Sequence, residues 1–202
     1  AMIWGAAGGL IATPLIHLLA QRTRHVAARQ QAAGWALLTI GSVIIGAAAM
    51  LIRPIAAAGI YATVLALLLV AAAVDATEQR LPNVLTIGGG GFALAGLSAV
   101  TAVTGAGSPW RAMAGGAIFG GWTLLAALLA RDGYGLGDVK LAAACGVLAS
   151  WLSWTALAVA ILATQIAIAI ALLHAKARGR QHAPLGPAFV VGLLVAIAIA
   201  RS

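Results

Sequence analysis

Carboxylates are scarce in this chain, and the scarcity makes each one informative. Four occur among 202 residues: Asp75, Glu78, Asp132 and Asp138. Asp75 directly follows the apolar run Val64–Val74, and Asp138 directly precedes the run that begins Val139-Lys140-Leu141. An ionisable group so close to a long apolar run is costly to hold and usually has a task. A pair of carboxylates placed in this way can do three kinds of work. It can balance nearby arginines at an interface. It can pass a proton or cation along, as in a small transporter. It can share one proton and act as general acid and general base together. A transporter leads one to expect acids deeper in the apolar runs, or broken helices paired between two halves, and neither is evident. The two aspartates lie 63 residues apart (138 − 75), so only the fold can bring them together.

The elements that must position them are membrane helices. Hydrophobic residues make up 63% of the chain and charged residues 8%, with a mean hydropathy of +1.06. A soluble domain carries about 25% charged residues, so this surface is built for lipid. Backbone groups in lipid must be satisfied within their own segment, and the alternation of a membrane barrel is absent. The expected fold is therefore all-α and polytopic, a single integral membrane domain over residues 1–202. Breaks in hydropathy divide it into about eight spans, near 2–20, 35–52, 54–74, 84–104, 111–130, 139–152, 154–174 and 185–200. Two divisions rest on length. Residues 35–75 as one helix would run about 60 Å, twice the hydrocarbon thickness. Arg53-Pro54 supplies the turn, because proline disfavours helix at the residue before it. Residues 138–174 would run about 55 Å, and Trp151-Leu-Ser-Trp154 supplies the second turn, with indoles suited to an interface.

Charge sets the orientation. With eight spans, one side receives Arg22, Arg24, Arg29, Arg80, Arg131, Lys140, Lys176, Arg178 and Arg180, and the other receives Arg53, Arg111 and Arg201. The basic-rich side is cytoplasmic by the positive-inside rule, which puts Asp75 and Asp138 at the cytoplasmic face and both termini outside. The first apolar stretch has no basic segment before it, and three arginines follow it, so it reads as a retained helix and not a cleaved signal. Ala1 ahead of Met2 reads as an expression remnant. The net charge of +8 is confined to short gaps between apolar runs, which suits anionic lipid headgroups as partners and not nucleic acid. One cysteine, Cys145, allows no internal disulfide and no multi-cysteine zinc site; set among alanines, it reads as a small packing residue. His17, His25, His174 and His182 show no metal-ligand spacing. Glycine clusters at Gly88–Gly91, Gly115-Gly116 and Gly120-Gly121 read as places where helices approach closely.

Local motifs around the two aspartates narrow the choice. Asp75 opens Asp75-Ala-Thr-Glu-Gln-Arg-Leu81-Pro82-Asn83, and Asp138 sits in Gly135-Leu-Gly137-Asp138-Val-Lys140. The pair resembles the type IV prepilin peptidases, with an aspartate seven residues before the proline of a Leu-Pro-Asn turn and a Gly-x-Gly-Asp-x-Lys motif. Pro184-Leu-Gly-Pro187 also resembles the segment that opens the last helix in that family. The resemblance covers most of the chain. It implies that Asp75 and Asp138 are the catalytic pair of an aspartic endopeptidase, with Gly135, Gly137, Lys140, Leu81, Pro82 and Asn83 as motif support. Presenilin and signal peptide peptidase share Gly-x-Gly-Asp, but they pair it with Pro-Ala-Leu, whereas this chain has Ala183-Pro-Leu185.

The resemblance further implies the substrates: prepilins or pseudopilins, with a basic leader removed on the cytoplasmic side, after a glycine and before a hydrophobic helix. A bacterial or archaeal cytoplasmic membrane is the implied location. Many members carry a cysteine-rich, zinc-binding insert after the first span, tied to N-methylation. Here only Gln21–Ala33 fills that gap, so a peptidase-only form is expected, without metal or cofactor. No oligomeric state follows from the sequence. Gly135 and Gly137 are expected to let the backbone approach substrate and to supply positive φ where needed. Lys140, about 200° around a helix from Asp138, is expected to reach headgroups, and Glu78 and Asp132 to support the site or be solvated. Helix-end electrostatics give a last expectation: Asp138, at a helix start, is the ionised base, and Asp75, at a helix end, holds the proton.

Overall fold

The structure is a computed structural model describing residues 43, 46–48, 50–78, 83–129, 135–179 and 185–200. Six helices order these residues: α1 (Ile55–Glu78), α2 (Asn83–Thr104), α3 (Pro109–Leu129), α4 (Leu136–Leu152), α5 (Trp154–Ala177) and α6 (Gly186–Ile199). The all-helical class holds among the described residues. Four of the helices carry stretches long and apolar enough to cross a membrane, Ile55–Ala72, Leu85–Thr104, Pro109–Leu129 and Trp154–Ala177. The expected count of about eight spans is not matched by these four. The span at 2–20 and most of that at 35–52 lie outside the described residues. The other two fall short on length: α4 has 17 residues and α6 has 14, about 26 and 21 Å, against a hydrocarbon core of about 30 Å.

Both expected breaks are present. The chain bends at Arg53-Pro54 and α1 starts at Ile55. Ser153 alone separates α4 from α5. It is extended (φ −165°, ψ 164°), its amide donates to Ala149 O at the end of α4, and its hydroxyl accepts from Ala156 N at 2.9 Å at the start of α5. One serine thus caps two helices. The indoles differ from the expectation, because Trp154 is exposed but Trp151 is buried. The Trp151 Nε1–H donates to Thr101 Oγ1 at 3.0 Å, and its ring lies 6.1 Å from that of Tyr61. A buried indole needs an acceptor, and Thr101 at the end of α2 provides one.

Helix α4 is the hub. It packs against α2, α3, α5 and α6, and nearly its whole length is buried, Leu136 being the clearest exposed exception. Small residues make this possible. A methyl at Gly116 would lie 2.9 Å from a Val147 methyl, and one at Gly120 would lie 3.0 Å from Ala143 Cβ. At Gly146 the added carbon would run into the backbone of Gly115. The close-packing expectation holds at these positions but not at Gly88, Gly91 or Gly121, where an added carbon meets nothing within 4 Å. Cys145 is fully buried in α4, its thiol pointing at Phe189 O at 3.8 Å, as a packing residue would be. Helix α1 packs against α2 and α6, and both of those also touch α4. The Tyr61 hydroxyl ties α1 to α4 directly by donating to Leu148 O.

The C-terminal end of α4 is locked by an arginine. Helices leave their last carbonyls without intrahelical partners. The Arg111 guanidinium, from the first turn of α3, donates to Ser150 O, to Trp151 O at 2.6 Å and to Leu152 O at 3.0 Å. A cation at a helix C-terminus also meets the negative end of the dipole. Arg111→Met should lower stability by about 2 kcal/mol, read as a lower unfolding midpoint in detergent. Arg111→Lys should recover only part of it, since an ammonium cannot span three carbonyls as a planar fork does.

Candidate active site

Asp75 lies in the last turn of α1 and Asp138 in the first turn of α4, both outside the four candidate spans. The charge of Asp75 reaches Asp138, so the two lie at one end of the bundle, and α2 and α6 each pack against both of the helices that carry them. Both side chains are buried, at 9% and 7% exposure, which is unusual for carboxylates with no described cation bonded to them. Each is instead held by backbone amides.

Asp138 is the third residue of α4. Its carboxylate folds back so that Oδ2 accepts from Gly135 N–H at 2.9 Å, while Asp138 N–H donates to Gly135 O at 3.0 Å. This is the acidic half of a capping box; Gly135 has no side chain to complete the other half. Gly135 is extended, with φ −95° and ψ 158°, and Gly137 is helical. Neither adopts positive φ, so that part of the expectation is corrected. Among the described residues the left-handed glycines are Gly105, Gly107 and Gly179, all remote from the pair in sequence. Gly135 is exposed beside a buried carboxylate, a place where another backbone can come near.

Asp75 is held across the chain. Its Oδ2 accepts from Gly186 N–H at 2.9 Å, a contact 111 positions away, and the Leu185 backbone bonds it as well. Gly186 is the first residue of α6 after its N-cap Leu185, so its amide is one of the donors a helix start leaves unpaired. The approach is close enough to require glycine: an added carbon would sit 2.9 Å from Asp75 Oδ2 and 3.2 Å from Ala72 Cα. Pro187 follows, a residue suited to the first turn.

The electrostatics follow from burial. Desolvation raises the Asp75 carboxyl above its ordinary range, opposed by the Gly186 and Leu185 backbone. Desolvation also raises Asp138, opposed by the Gly135 amide and reinforced by the charge of Asp75, and pushes it up to about 6. That the charge of one acts on the other is the physical sign of a pair.

Lys140 is half-buried near the start of α4. Asn83 opens α2, and Glu78 closes α1. Leu81, Pro82 and Asp132 lie outside the described residues, as do Arg80 and Arg131. His174 and Lys176 occupy the last turn of α5. No cluster of metal-ligating side chains occurs among the described residues.

With two buried aspartates near enough for one charge to act on the other, the comparison with protein families can be weighed against a site. A family model described as the type IV leader peptidase family matches residues 62–174, more than half of the chain, including both aspartates. The chain belongs to the type IV leader peptidase family. Membership makes it a peptidase, and its apolar helices make it a multi-pass membrane protein. No curated protein and no solved structure matches the chain. The family match ends before α6, so the Leu185 and Gly186 amides that hold Asp75 lie beyond it. Sequence reasoning missed their role. The Pro184-Leu-Gly-Pro187 segment was the available signal, but it does not show which atom the segment serves.

Proposed function

We propose that the protein is an aspartic endopeptidase that removes the basic leader of type IV prepilins or pseudopilins, cutting after a glycine and before the hydrophobic helix, at the cytoplasmic face of the membrane. One observation carries the reading: Asp75 and Asp138, 63 residues apart, are buried at the same end of the bundle and close enough for the charge of one to act on the other. Family membership supports the substrate class. The placement of lysine and arginine supports the cytoplasmic side.

Two such carboxyls suffice for hydrolysis. One carboxylate takes a proton from water as the oxygen bonds to the scissile carbonyl carbon. The other, protonated, gives its proton to the carbonyl oxygen. In the collapse the C–N bond breaks and the first carboxyl passes its proton to the leaving amine. The diol proton returns to the second carboxylate, and the pair is restored. A substrate helix would lie in the bilayer against the bundle, with its leader junction at the level of the pair.

The test is cleavage of a purified prepilin by the purified protein in liposomes, with the product sequenced. A single cut directly after the leader glycine is expected, and replacing that glycine should abolish it. Cuts scattered within the hydrophobic helix would point instead to another kind of intramembrane aspartic protease, and no hydrolysis at all would remove the peptidase reading of this site.

A further inference from the structure

Helix α5 carries a polar side chain at a depth where lipid offers it no partner. Gln165 lies 11 residues after the first residue of this 24-residue candidate span (165 − 154) and 12 before the last (177 − 165). About 17 Å of helix or more therefore separates it from either end, too far for its side chain to snorkel to water. Hydroxyls in the other helices are satisfied locally: Thr63, Ser98 and Thr123 each donate to the carbonyl four residues back. Gln165 has no such bond, and none joins it to another described residue. Its side chain is half-buried, so part of it opens to the outside of the bundle. The neighbouring Thr164 also lacks a partner, but it is sealed against Gly192 of α6 and faces no opening.

The residues around Gln165 have the spacing of a helix–helix seam. Ala158, Leu162, Gln165, Ala169 and Leu172 recur at intervals of 4, 3, 4 and 3, which sets them on one stripe. The other four are exposed. The stripe that α5 buries in its own bundle, Ala160, Thr164 and Ile168, lies about 120° round the helix. A carboxamide both donates and accepts, and a two-fold interface sets each residue against its own copy. Two copies of Gln165 thus satisfy each other with no third group. Ala158 and Ala169 are small enough to let two backbones approach, and one polar residue in an apolar seam fixes its register.

We propose that this face of α5 is the interface with a second copy of the chain: a parallel, in-register α5–α5 contact closed by a Gln165–Gln165 carboxamide pair. Copies inserted in one orientation run their α5 helices parallel, as the pairing requires. Any other occupant must bring a polar group of its own to this depth, whereas a second copy supplies one by symmetry.

The test uses the full chain in liposomes, dilute in lipid. A cysteine placed on the seam, Ala169→Cys, should crosslink two copies on mild oxidation. Ile170→Cys, as open to the surroundings but about 100° round the helix, should not, and the parent, whose Cys145 is fully buried, should give no dimer. In Gln165→Leu, energy transfer between tagged copies should show a dissociation constant raised by roughly 5–30-fold, the range for an intramembrane hydrogen-bonded pair. Leucine keeps the helix apolar, and circular dichroism checks that the variant folds; the crosslinking pattern decides the matter even if it does not. Equal or stronger crosslinking at Ile170→Cys overturns the inference, and so does a Gln165→Leu protein that pairs as tightly as the parent. Monomers at every dilution, or crosslinking of Ale169→Cys to an added substrate helix in place of a copy, would give the face to another helix and overturn it as well.

Discussion

Asp138→Asn should lower peptide hydrolysis by about 10²–10⁴-fold and yet leave the protein folded and, at pH 7.5, more stable than the parent. The loss of activity follows from removing the titrating carboxyl, and Asp75→Asn should match it. The gain in stability follows from the position of Asp138. An aspartate in an unfolded chain titrates near 3.9, whereas burial pushes Asp138 up to about 6. The folded state therefore binds this proton more tightly than the unfolded state does. Below about pH 4 both states are protonated and the group costs nothing. As pH rises through about 6, a charge is forced into a buried site beside Asp75, and stability is lost. Asparagine keeps an oxygen for the Gly135 amide and carries no charge. The expected gain at pH 7.5 is on the order of 1–2 kcal/mol, vanishing near pH 4. Paired thermal unfolding at the two pH values checks it, and an Asp138→Asn protein less stable at both would show that the carboxyl is a structural support.

The second large effect belongs to the backbone contact between α3 and α4. Gly146→Ala should destabilise by about 3 kcal/mol or more. A methyl there would collide with Gly115 O and lie 2.9 Å from Gly115 C and 3.0 Å from Gly116 Cα. Overpacking costs 1–3 kcal/mol where side chains can shift, and more where they cannot. Backbone is on both sides here, so no rotamer relieves the clash and the helices must separate. Gly121→Ala, on the same helix pair but open to space, should be neutral or slightly stabilising, since alanine is the better helix former. Unfolding midpoints of the two variants in one detergent provide the comparison. Equal midpoints would mean that the close approach of α3 and α4 is not what holds the bundle.

How much of this was legible beforehand depended on whether the signal was local. The helix breaks at Pro54 and Ser153 were legible because a proline, or an over-long apolar run, constrains the backbone where it occurs. The two aspartates were legible because each ends an apolar run inside its own motif. The number of spans is not confirmed, because two of the expected eight fall wholly or mostly outside the described residues and α4 and α6 are shorter than the four long apolar helices. Trp151 was misplaced because apolar composition alone does not separate lipid from protein surroundings. The contact that holds Asp75 was not legible for a different reason. Counting helix ends from sequence gives each carboxylate only its own helix, whereas Asp75 sits on the start of another helix, 111 positions later. The close approach expected of Gly135 and Gly137 belongs most sharply to Gly186, whose environment only the fold creates.

The burial of α4 has a consequence for the membranes in which the protein can work. The long helices α2, α3 and α5 present apolar surface to the surroundings, so they must answer to hydrophobic mismatch, by tilting or by deforming the bilayer. Helix α4 meets other helices along nearly its whole length and is fixed at its far end by Arg111. The depth of Asp138 is thus set by neighbouring helices and not by lipid tails. A thicker or thinner bilayer should therefore tilt the casing before it shifts Asp138.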